Sequence, residues 1–478
     1  MNLLMNIRIQ AVIAAMLAVF QLPSLMLAYA RGEPSHYHLL SIAFATGMAL
    51  TYLLTLRARV DLSARDGVLS VALGWANTIF LGALPYIFAD KLGWIDAIFE
   101  STSGFTTTGS SVLTDIEAWP QSLLLWRSTT QWLGGMGMLL LATAILPFLG
   151  AGGIQIMKAE VPGPSKDKLV PRVASTARLL WGIYLFLTVL CVIAYHLSGM
   201  TWLDGVNHAF SSMATGGFST RNASMAAFSP AAQWWATFFM AAAGANFVLH
   251  YRLLLRGDGS IFKDDELRWY LAIILVVGLF CSWVAYPLTA ERDLETALRQ
   301  GFFQVVTIIT TTGYASTDWE TWPLFAQLVL VGIMIPGSMA GSTAGGIKVV
   351  RLVIIVRIFS AVVNRLLMPE RVVVVKLNDK EVPFDIVEST VALVSAAAAA
   401  VVIGTIILVG LGMDPGSAYS AALTAFSNVG PGIGSVGPMD NFSAVHDIGK
   451  VLLSFLMVLG RLEIFTLIML FLPRFWKP

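Results

Sequence analysis

Phe105-Thr106-Thr107-Thr108-Gly109-Ser110-Ser111 is the first of four polar, glycine-centred runs on which the reading of this chain turns. The others are Met213-Ala214-Thr215-Gly216-Gly217-Phe218, Ile309-Thr310-Thr311-Thr312-Gly313-Tyr314-Ala315 and Ser427-Asn428-Val429-Gly430-Pro431-Gly432. With Gly109, Gly216, Gly313 and Gly430 taken as centres they lie 107, 97 and 117 residues apart, a spacing that marks a repeated structural unit. A short helical segment precedes each run: Trp94 to Phe105, Trp202 to Ala214, Leu294 to Ile309 and Ser417 to Ser427. None reaches the roughly 20 residues needed to cross a bilayer, so each is expected to enter the membrane and turn back.

The sequence around the runs is apolar. Of 478 residues, 56% are hydrophobic and 12% charged, against about 25% charged in a soluble domain. Ten stretches have the length and character of spanning helices: Ile9 to Ala30, Tyr37 to Leu56, Val68 to Ala89, Leu123 to Pro147, Leu179 to Leu197, Ala231 to Leu255, Trp269 to Leu288, Leu324 to Phe359, Ile386 to Leu411 and Ile448 to Leu472. The first is long and has no small-residue cleavage site, which favours a spanning helix over a signal peptide. The fold class expected is therefore an all-α polytopic membrane protein. Residues 1–60 supply two extra N-terminal spans, and 61–150, 151–258, 259–365 and 366–478 supply four pseudo-symmetric units of helix, half-helix, glycine run and helix.

Charge sets the expected orientation. Lys and Arg concentrate in alternate loops: Arg57 to Arg65, Lys158 to Arg178, Arg252 to Arg268 and Arg351 to Lys380. The opposite loops carry Asp90, Asp115, Glu117, Asp204, Glu291, Asp293, Asp318, Glu320, Asp414 and Asp440. By the positive-inside rule the basic side and both termini are cytoplasmic, and the acidic outer mouth attracts cations. A net charge of +1 gives no reason to expect a nucleic-acid partner. Cys191 and Cys281 lie inside apolar runs, so neither a disulfide framework nor a metal spacing is present.

Four glycine runs suit one task in particular. A cation leaving water needs its hydration shell replaced, and a ring of backbone carbonyls replaces it without bringing full charges into the membrane. Glycine permits the backbone turns that aim carbonyls inward, and the half-helix C-termini add negative potential. Thr107, Thr108, Gly109, Ser110, Ala214, Thr215, Gly216, Gly217, Thr311, Thr312, Gly313, Tyr314, Asn428, Val429, Gly430 and Pro431 are the candidate ion-binding residues.

This pattern resembles the superfamily of bacterial Trk and Ktr and plant HKT cation transporters, whose units resemble potassium-channel pores. The ten spans, the extra N-terminal pair and the stretch Glu160-Val161-Pro162-Gly163-Pro164-Ser165-Lys166-Asp167-Lys168 look like its TrkH-type branch. The resemblance implies potassium uptake across a bacterial inner membrane, with potassium preferred where a glycine fills the centre of every run. It also implies a homodimer in membrane lipid and a cytosolic, nucleotide-binding regulatory subunit of the TrkA type. Nucleotide would then sit on that partner, leaving this chain with no cofactor of its own and no enzymatic activity. The runs depart from one another at Ala214, Asn428 and Val429.

The eighth stretch is interrupted by Pro336-Gly337-Ser338-Met339-Ala340-Gly341-Ser342-Thr343-Ala344-Gly345-Gly346, with Ile347 and Lys348 following. Pro336 removes a donor and so many small residues do not hold a straight helix. A kink with close helix packing is one reading. The other, which the resemblance implies for the third repeat, is an intramembrane gate with Gly337, Gly341, Gly345 and Gly346. Lys348 is a candidate part of it, and a snorkelling anchor at the cytoplasmic end explains it and Arg351 equally well. A phosphate-binding loop is excluded because Ile347 stands where lysine is required. Arg461, deep in the last stretch, costs at least about 2.5 kcal/mol at membrane depth and is a functional candidate on that ground. A buried structural ion pair is its other reading, and the resemblance matches it to a cation projecting below the filter. Glu463, two residues on, belongs on another helix face. Glu100, in the first half-helix, either adds negative potential near the filter or serves as a cap or hydrogen-bond partner of a neighbouring half-helix, and takes no site role. His196 and His208 are read as structural groups, and Trp94, Trp119, Trp202, Trp234, Trp319 and Trp322 as an interfacial belt. An alternating-access transporter would need inverted repeats, and a membrane enzyme a convergent acid–base set; within the superfamily a less selective sodium/potassium transporter or a cation symporter stays open.

Overall fold

Asn2 opens the first helix by accepting the Met5 N–H on its side chain at 3.1 Å. The resulting helix, α1 (Leu3–Arg31), runs to Gly32, whose left-handed conformation closes it. The computed structural model describes residues 2–55, 64–137, 173–368 and 374–476. The Glu160 to Lys168 stretch, most of the Lys158 to Arg178 segment, Arg57, Arg59 and Arg371 lie outside the described residues.

The order is α1, α2 (His36–Leu50), α3 (Ala64–Phe88), α4 (Trp94–Phe105), α5 (Gln121–Gly135), α6 (Val173–Leu197), α7 (Trp202–Ala214), α8 (Pro230–Ala243) and α9 (Phe247–Arg256). Then come α10 (Asp265–Ala285), α11 (Leu294–Ile309), α12 (Leu324–Met334), α13 (Val349–Leu367), α14 (Phe384–Gly410), α15 (Pro415–Ser427), α16 (Asp447–Arg461), α17 (Phe465–Phe471) and α18 (Pro473–Trp476). The four half-helices α4, α7, α11 and α15 stand where the sequence places them, α15 starting two residues early. Three carry side-chain N-caps: Thr201 on Asp204, Asp293 on Glu295 and Thr296, and Asp414 on Gly416 and Ser417.

The expected second span, Tyr37 to Leu56, is a 15-residue helix, α2, continued by a 3-10 turn at Thr51–Thr55. Within the repeats the spans differ from expectation in one systematic way. Among the described residues five helices are long and apolar enough to cross a membrane, and two further candidates are bent pairs. Each bend falls in the second helix of a repeat. Helices α8 and α9 meet at 99° across Gly244-Ala245-Asn246, and α16 and α17 at 118° across Leu462-Glu463-Ile464. In the third repeat Ile335 to Lys348 separate α12 from α13; in the first, α5 ends at Gly135, and residues 138–147 of the expected Leu123 to Pro147 span lie outside the described residues. An apolar run reports that a segment sits in lipid, but not whether its backbone is straight. The breaks leave carbonyls unpaired by helix, and these are taken up at the site below.

An antiparallel hairpin, β1 (Lys376–Leu377) with β2 (Lys380–Glu381), is the one departure from all-α structure among the described residues. Trp319 and Trp322 also depart from expectation, being buried rather than part of a lipid-facing belt, whereas Trp94 and Trp202 are largely exposed.

Candidate functional site: four glycine turns and the loop beneath them

All four half-helices end in the same way. Thr107, Thr215, Thr311 and Asn428 take the left-handed conformation, at φ +56°, +54°, +55° and +56°. The next N–H then reaches back five residues: Thr108 to the Ser103 carbonyl, Gly216 to Ser211, Thr312 to Thr307 and Val429 to Thr424, all within 3.0 Å. Asn tolerates this conformation, but a β-branched Thr in it is strained by about 1–3 kcal/mol. Strain repeated at three equivalent points marks positions whose backbone direction outweighs their comfort.

Two residues beyond each strained position stands a glycine at positive φ: Gly109 (+88°), Gly217 (+78°), Gly313 (+78°) and Gly430 (+100°). This corrects the sequence register. The centre of the second run is Gly217, not Gly216; Gly216 is the counterpart of Thr108, Thr312 and Val429, and Thr215, not Ala214, that of Thr107. Two adjacent glycines made the sequence ambiguous by one residue, and the backbone resolves it.

The four glycines close a ring. A Cβ on Gly109 would stand 2.2 Å from the Gly216 carbonyl oxygen, one on Gly217 1.9 Å from that of Thr312, one on Gly313 2.0 Å from that of Val429, and one on Gly430 2.7 Å from that of Thr108. Each repeat thus sets its glycine against the next repeat's carbonyl in cyclic order, first to second to third to fourth and back to first. Both the positive φ and the approach exclude a side chain. Ser110 ties the ring further by donating to the Gly430 carbonyl at 3.2 Å. The Asn428 amide donates to the Thr108 hydroxyl and the Met457 carbonyl, each at 2.9 Å. Pro431 packs beside Gly313. Tyr314 turns away from the axis, its hydroxyl donating to the His208 carbonyl at 3.1 Å.

The ring is braced from behind by residues the sequence leaves as structural or overlooks. Seven positions before the strained residue stand Glu100, His208, Gln304 and Ala421. Glu100 accepts from the Ser111 hydroxyl (3.1 Å) and the Val112 N–H (3.0 Å). It also forms a fully buried ion pair with Arg127 at 2.6 Å, and Arg127 reaches on to the Ser219 carbonyl and lies over the Phe218 ring. His208 Nε2 pairs with the Ser219 hydroxyl at 2.9 Å. Gln304 donates to Ser316 and to the Thr317 carbonyl. Ala421 has no polar group, and its neighbour Ser420 holds Ile433 instead. Gln131 was not singled out from the sequence, yet its amide fills the space beside Gly216 where the other repeats have a side chain. It donates to the Gly216 carbonyl at 2.6 Å and accepts from Ser211 and from the Phe218 N–H. A lone Gln in an apolar span was the available signal.

Beneath the ring lies the interruption of the third repeat. Gly337, Gly341, Gly346 and Lys348 have positive φ, so the segment is an irregular loop rather than a kinked helix. Its tip touches three repeats: Thr343 donates to the Met213 carbonyl, the Gly345 N–H donates to the Thr311 hydroxyl at 2.7 Å, and Gly345 packs on Ser427 and Asn428. Its flank hydrogen-bonds the break in the second repeat, with Met339 N–H on the Gly244 carbonyl and Phe247 N–H on that of Gly341. Arg461 supplies the fourth side. Its guanidinium donates to the Thr343 carbonyl at 2.9 Å and to the Gly134 and Gly135 carbonyls at 2.7 and 3.2 Å. Lys348 is buried and donates to the Ala344 carbonyl. Glu463 pairs with Arg351 at 2.7 Å. The helix-face argument for it does not apply, because α16 ends at Arg461 and Glu463 itself is left-handed.

Outside the membrane, Glu320 accepts the Gly434 N–H at 2.6 Å, and burial pushes its carboxyl up from the ordinary range. Among the described residues no group of three or more His, Cys, Asp or Glu could hold a metal ion.

Four like units, each setting a half-helix and a strained glycine turn around one axis, define a polytopic helical membrane protein of repeated pore-loop units. The family model described as "TrkH: Cation transport protein" matches residues 36–477, and the chain belongs to that family. It is 39% identical to the Trk system potassium uptake protein TrkH of Salmonella typhimurium over 88% of each chain. It is 38% identical to the protein of the same name from Halomonas elongata over the full length of both. The crystal structure of the potassium transporter TrkH from Vibrio parahaemolyticus superposes with a TM-score of 0.89, at 34% identity and full coverage of both chains.

Proposed function

We propose that this protein takes up potassium across a bacterial inner membrane through the glycine–carbonyl ring, with the loop from Gly337 to Gly346 and Arg461 as the gate beneath it. The observation that carries this reading is the cyclic contact of Gly109, Gly217, Gly313 and Gly430 with the carbonyls of Gly216, Thr312, Val429 and Thr108. Carbonyls fixed at one spacing replace the hydration shell of one size of cation better than another. The names of the relatives support potassium as that cation. The Thr107 hydroxyl, buried without a hydrogen-bond partner among the described residues, adds an oxygen at the lower end of the ring.

Arg461 places a positive charge on the path an ion must take below the ring, and three carbonyls hold it there. Opening requires the loop and this guanidinium to part. The loop end, α13 and the hairpin lie on the basic side, which the positive-inside rule makes cytoplasmic along with both termini. A homodimer with a cytosolic, nucleotide-binding subunit of the TrkA type completes the reading, that subunit supplying the force that moves the loop. No nucleotide site is assigned to this chain, and the driving force is the ion gradient and the membrane potential.

Flux of rubidium and sodium into liposomes tests the reading. Wild-type protein is expected to pass rubidium in strong preference, and Gly313→Ser to lose that preference. An unchanged preference in Gly313→Ser would exclude the ring as the selective element.

A further inference from the structure

Glu266, in the first turn of α10, is buried although it is a carboxylate, and one of its oxygens accepts two backbone N–H groups. Those donors are Ala340, inside the loop beneath the ring, at 2.7 Å, and Val350, in the helix that leaves the loop, at 3.1 Å. A single oxygen therefore fastens the loop to its own exit. Arg357 pairs with Asp265 next door and Lys348 donates to the Ala344 carbonyl, so these hydrogen bonds of the two cations go to groups other than Glu266.

The two residues before Glu266 hold a different object. Asp265 exchanges hydrogen bonds with Asn378, accepting its N–H at 2.8 Å and giving its own N–H to the Asn378 side chain at 2.7 Å. Asp264 accepts the Asn378 amide at 2.9 Å. Asn378 begins the turn of the β1–β2 hairpin; with Asp379 it takes positive φ, as a two-residue hairpin turn requires. Arg357 of α13 closes the circuit, bonded to Asp265 at 2.9 Å and to the Lys376 carbonyl. Apolar packing follows the same route. Ala340, Val350 and Ile354 form a cluster separate from the main core, and Leu377 and Val382 of the hairpin pack on it together with Ile358 and Ile386.

We infer that Glu266 is the positioning residue that couples the hairpin at Lys376–Glu381 to the loop beneath the ring, so that a regulator displacing the hairpin releases the loop. The coupling rests on the reading of that loop as the gate. Consecutive residues on one helical turn move together: Asp264 and Asp265 follow Asn378, and Glu266 carries the motion to Ala340 and Val350. A carboxylate that served α10 alone would not need two donors from the loop and its exit. The hairpin is exposed at Lys376, Asn378, Asp379, Lys380 and Glu381, which leaves it open to a soluble partner.

Rubidium flux of the full chain in liposomes, with thiol labelling of Ala344→Cys from the hairpin side, tests the coupling; the native cysteines are buried and do not compete. Glu266→Ala is expected to raise basal flux at least tenfold and to expose the cysteine at position 344. Glu266→Gln keeps an oxygen for both donors and is expected to restore low flux and protection. Asn378→Ala, on the exposed hairpin, is expected to raise flux less, and to add nothing to Glu266→Ala. Deletion of Gly341 to Gly345 is the control. If that deletion raises flux while Glu266→Ala and Asn378→Ala change neither flux nor labelling, the gate stands and the coupling is overturned. If the deletion itself has no effect, the reading of the loop as a gate has failed.

Discussion

Gly217 faces the Thr312 carbonyl oxygen so closely that a Cβ would stand 1.9 Å from it, whereas Gly216, one residue earlier, faces the side chain of Gln131. The two glycines are therefore not equivalent, although the sequence offers either as the centre of its run. At Gly217 a side chain meets backbone and a positive φ together; at Gly216 the φ is ordinary and the neighbour is a flexible amide. Gly217→Ala is expected to reduce rubidium flux at least tenfold. Gly216→Ala is expected to cost less, and its loss to be partly recovered by shortening the amide in Gln131→Asn.

Arg461 holds three carbonyls with one planar guanidinium, drawing the loop tip and the end of α5 onto the same group. Lysine carries the charge but not the fork. Arg461→Ala is expected to raise basal rubidium flux severalfold in liposomes, and Arg461→Lys to raise it as well, to a smaller extent. A lysine variant indistinguishable from wild type would show that charge alone closes the path.

The Glu100–Arg127 pair is buried on both sides. Removing one partner of such a pair leaves an uncompensated charge, which costs about 3–5 kcal/mol, whereas replacing both with apolar groups is often close to neutral. Glu100→Gln is expected to lower the melting temperature of the detergent-solubilised protein by several degrees. Adding Arg127→Met is expected to recover a large part of that loss. A double variant less stable than the sum of the two singles would point to a role for the pair beyond charge balance.

Gln131 closes the gap that Gly216 leaves beside the ring. Gln131→Ala strands a buried carbonyl and a buried N–H, at about 1–3 kcal/mol. It should lower the melting temperature, and the rubidium-over-sodium preference should fall with it, because the second repeat's carbonyl loses its support. Thermal unfolding and liposome flux on the same preparation check both outcomes.

Much of this architecture was legible in the sequence, for reasons that can be located. Half-helices α4, α7 and α11 were readable to the residue because each lies between a Trp or Leu start and a polar glycine run. What escaped were features that composition does not record. The bends at Gly244-Ala245-Asn246 and at Leu462-Glu463-Ile464 lie in stretches that are apolar enough as a whole to pass for one span, although Asn246, Arg461 and Glu463 stand at or beside them. The second run was misaligned by one residue because Gly216 and Gly217 are chemically identical and differ only in φ. Glu100 was noticed without a role, since its partner Arg127 stands 27 positions away on the far side of the glycine run. Glu266 carries no signal in the sequence, because its role depends on the Ala340 and Val350 N–H groups, 74 and 84 positions away, that meet at its side chain.

The most direct test of the ring is to see the ion in it. Crystals of the protein grown in rubidium should give an anomalous scattering peak on the axis enclosed by the carbonyls of Thr108, Gly216, Thr312 and Val429, and the peak should be lost in Gly313→Ser crystals. A rubidium peak absent from that axis, or one that persists there in Gly313→Ser, would contradict the account.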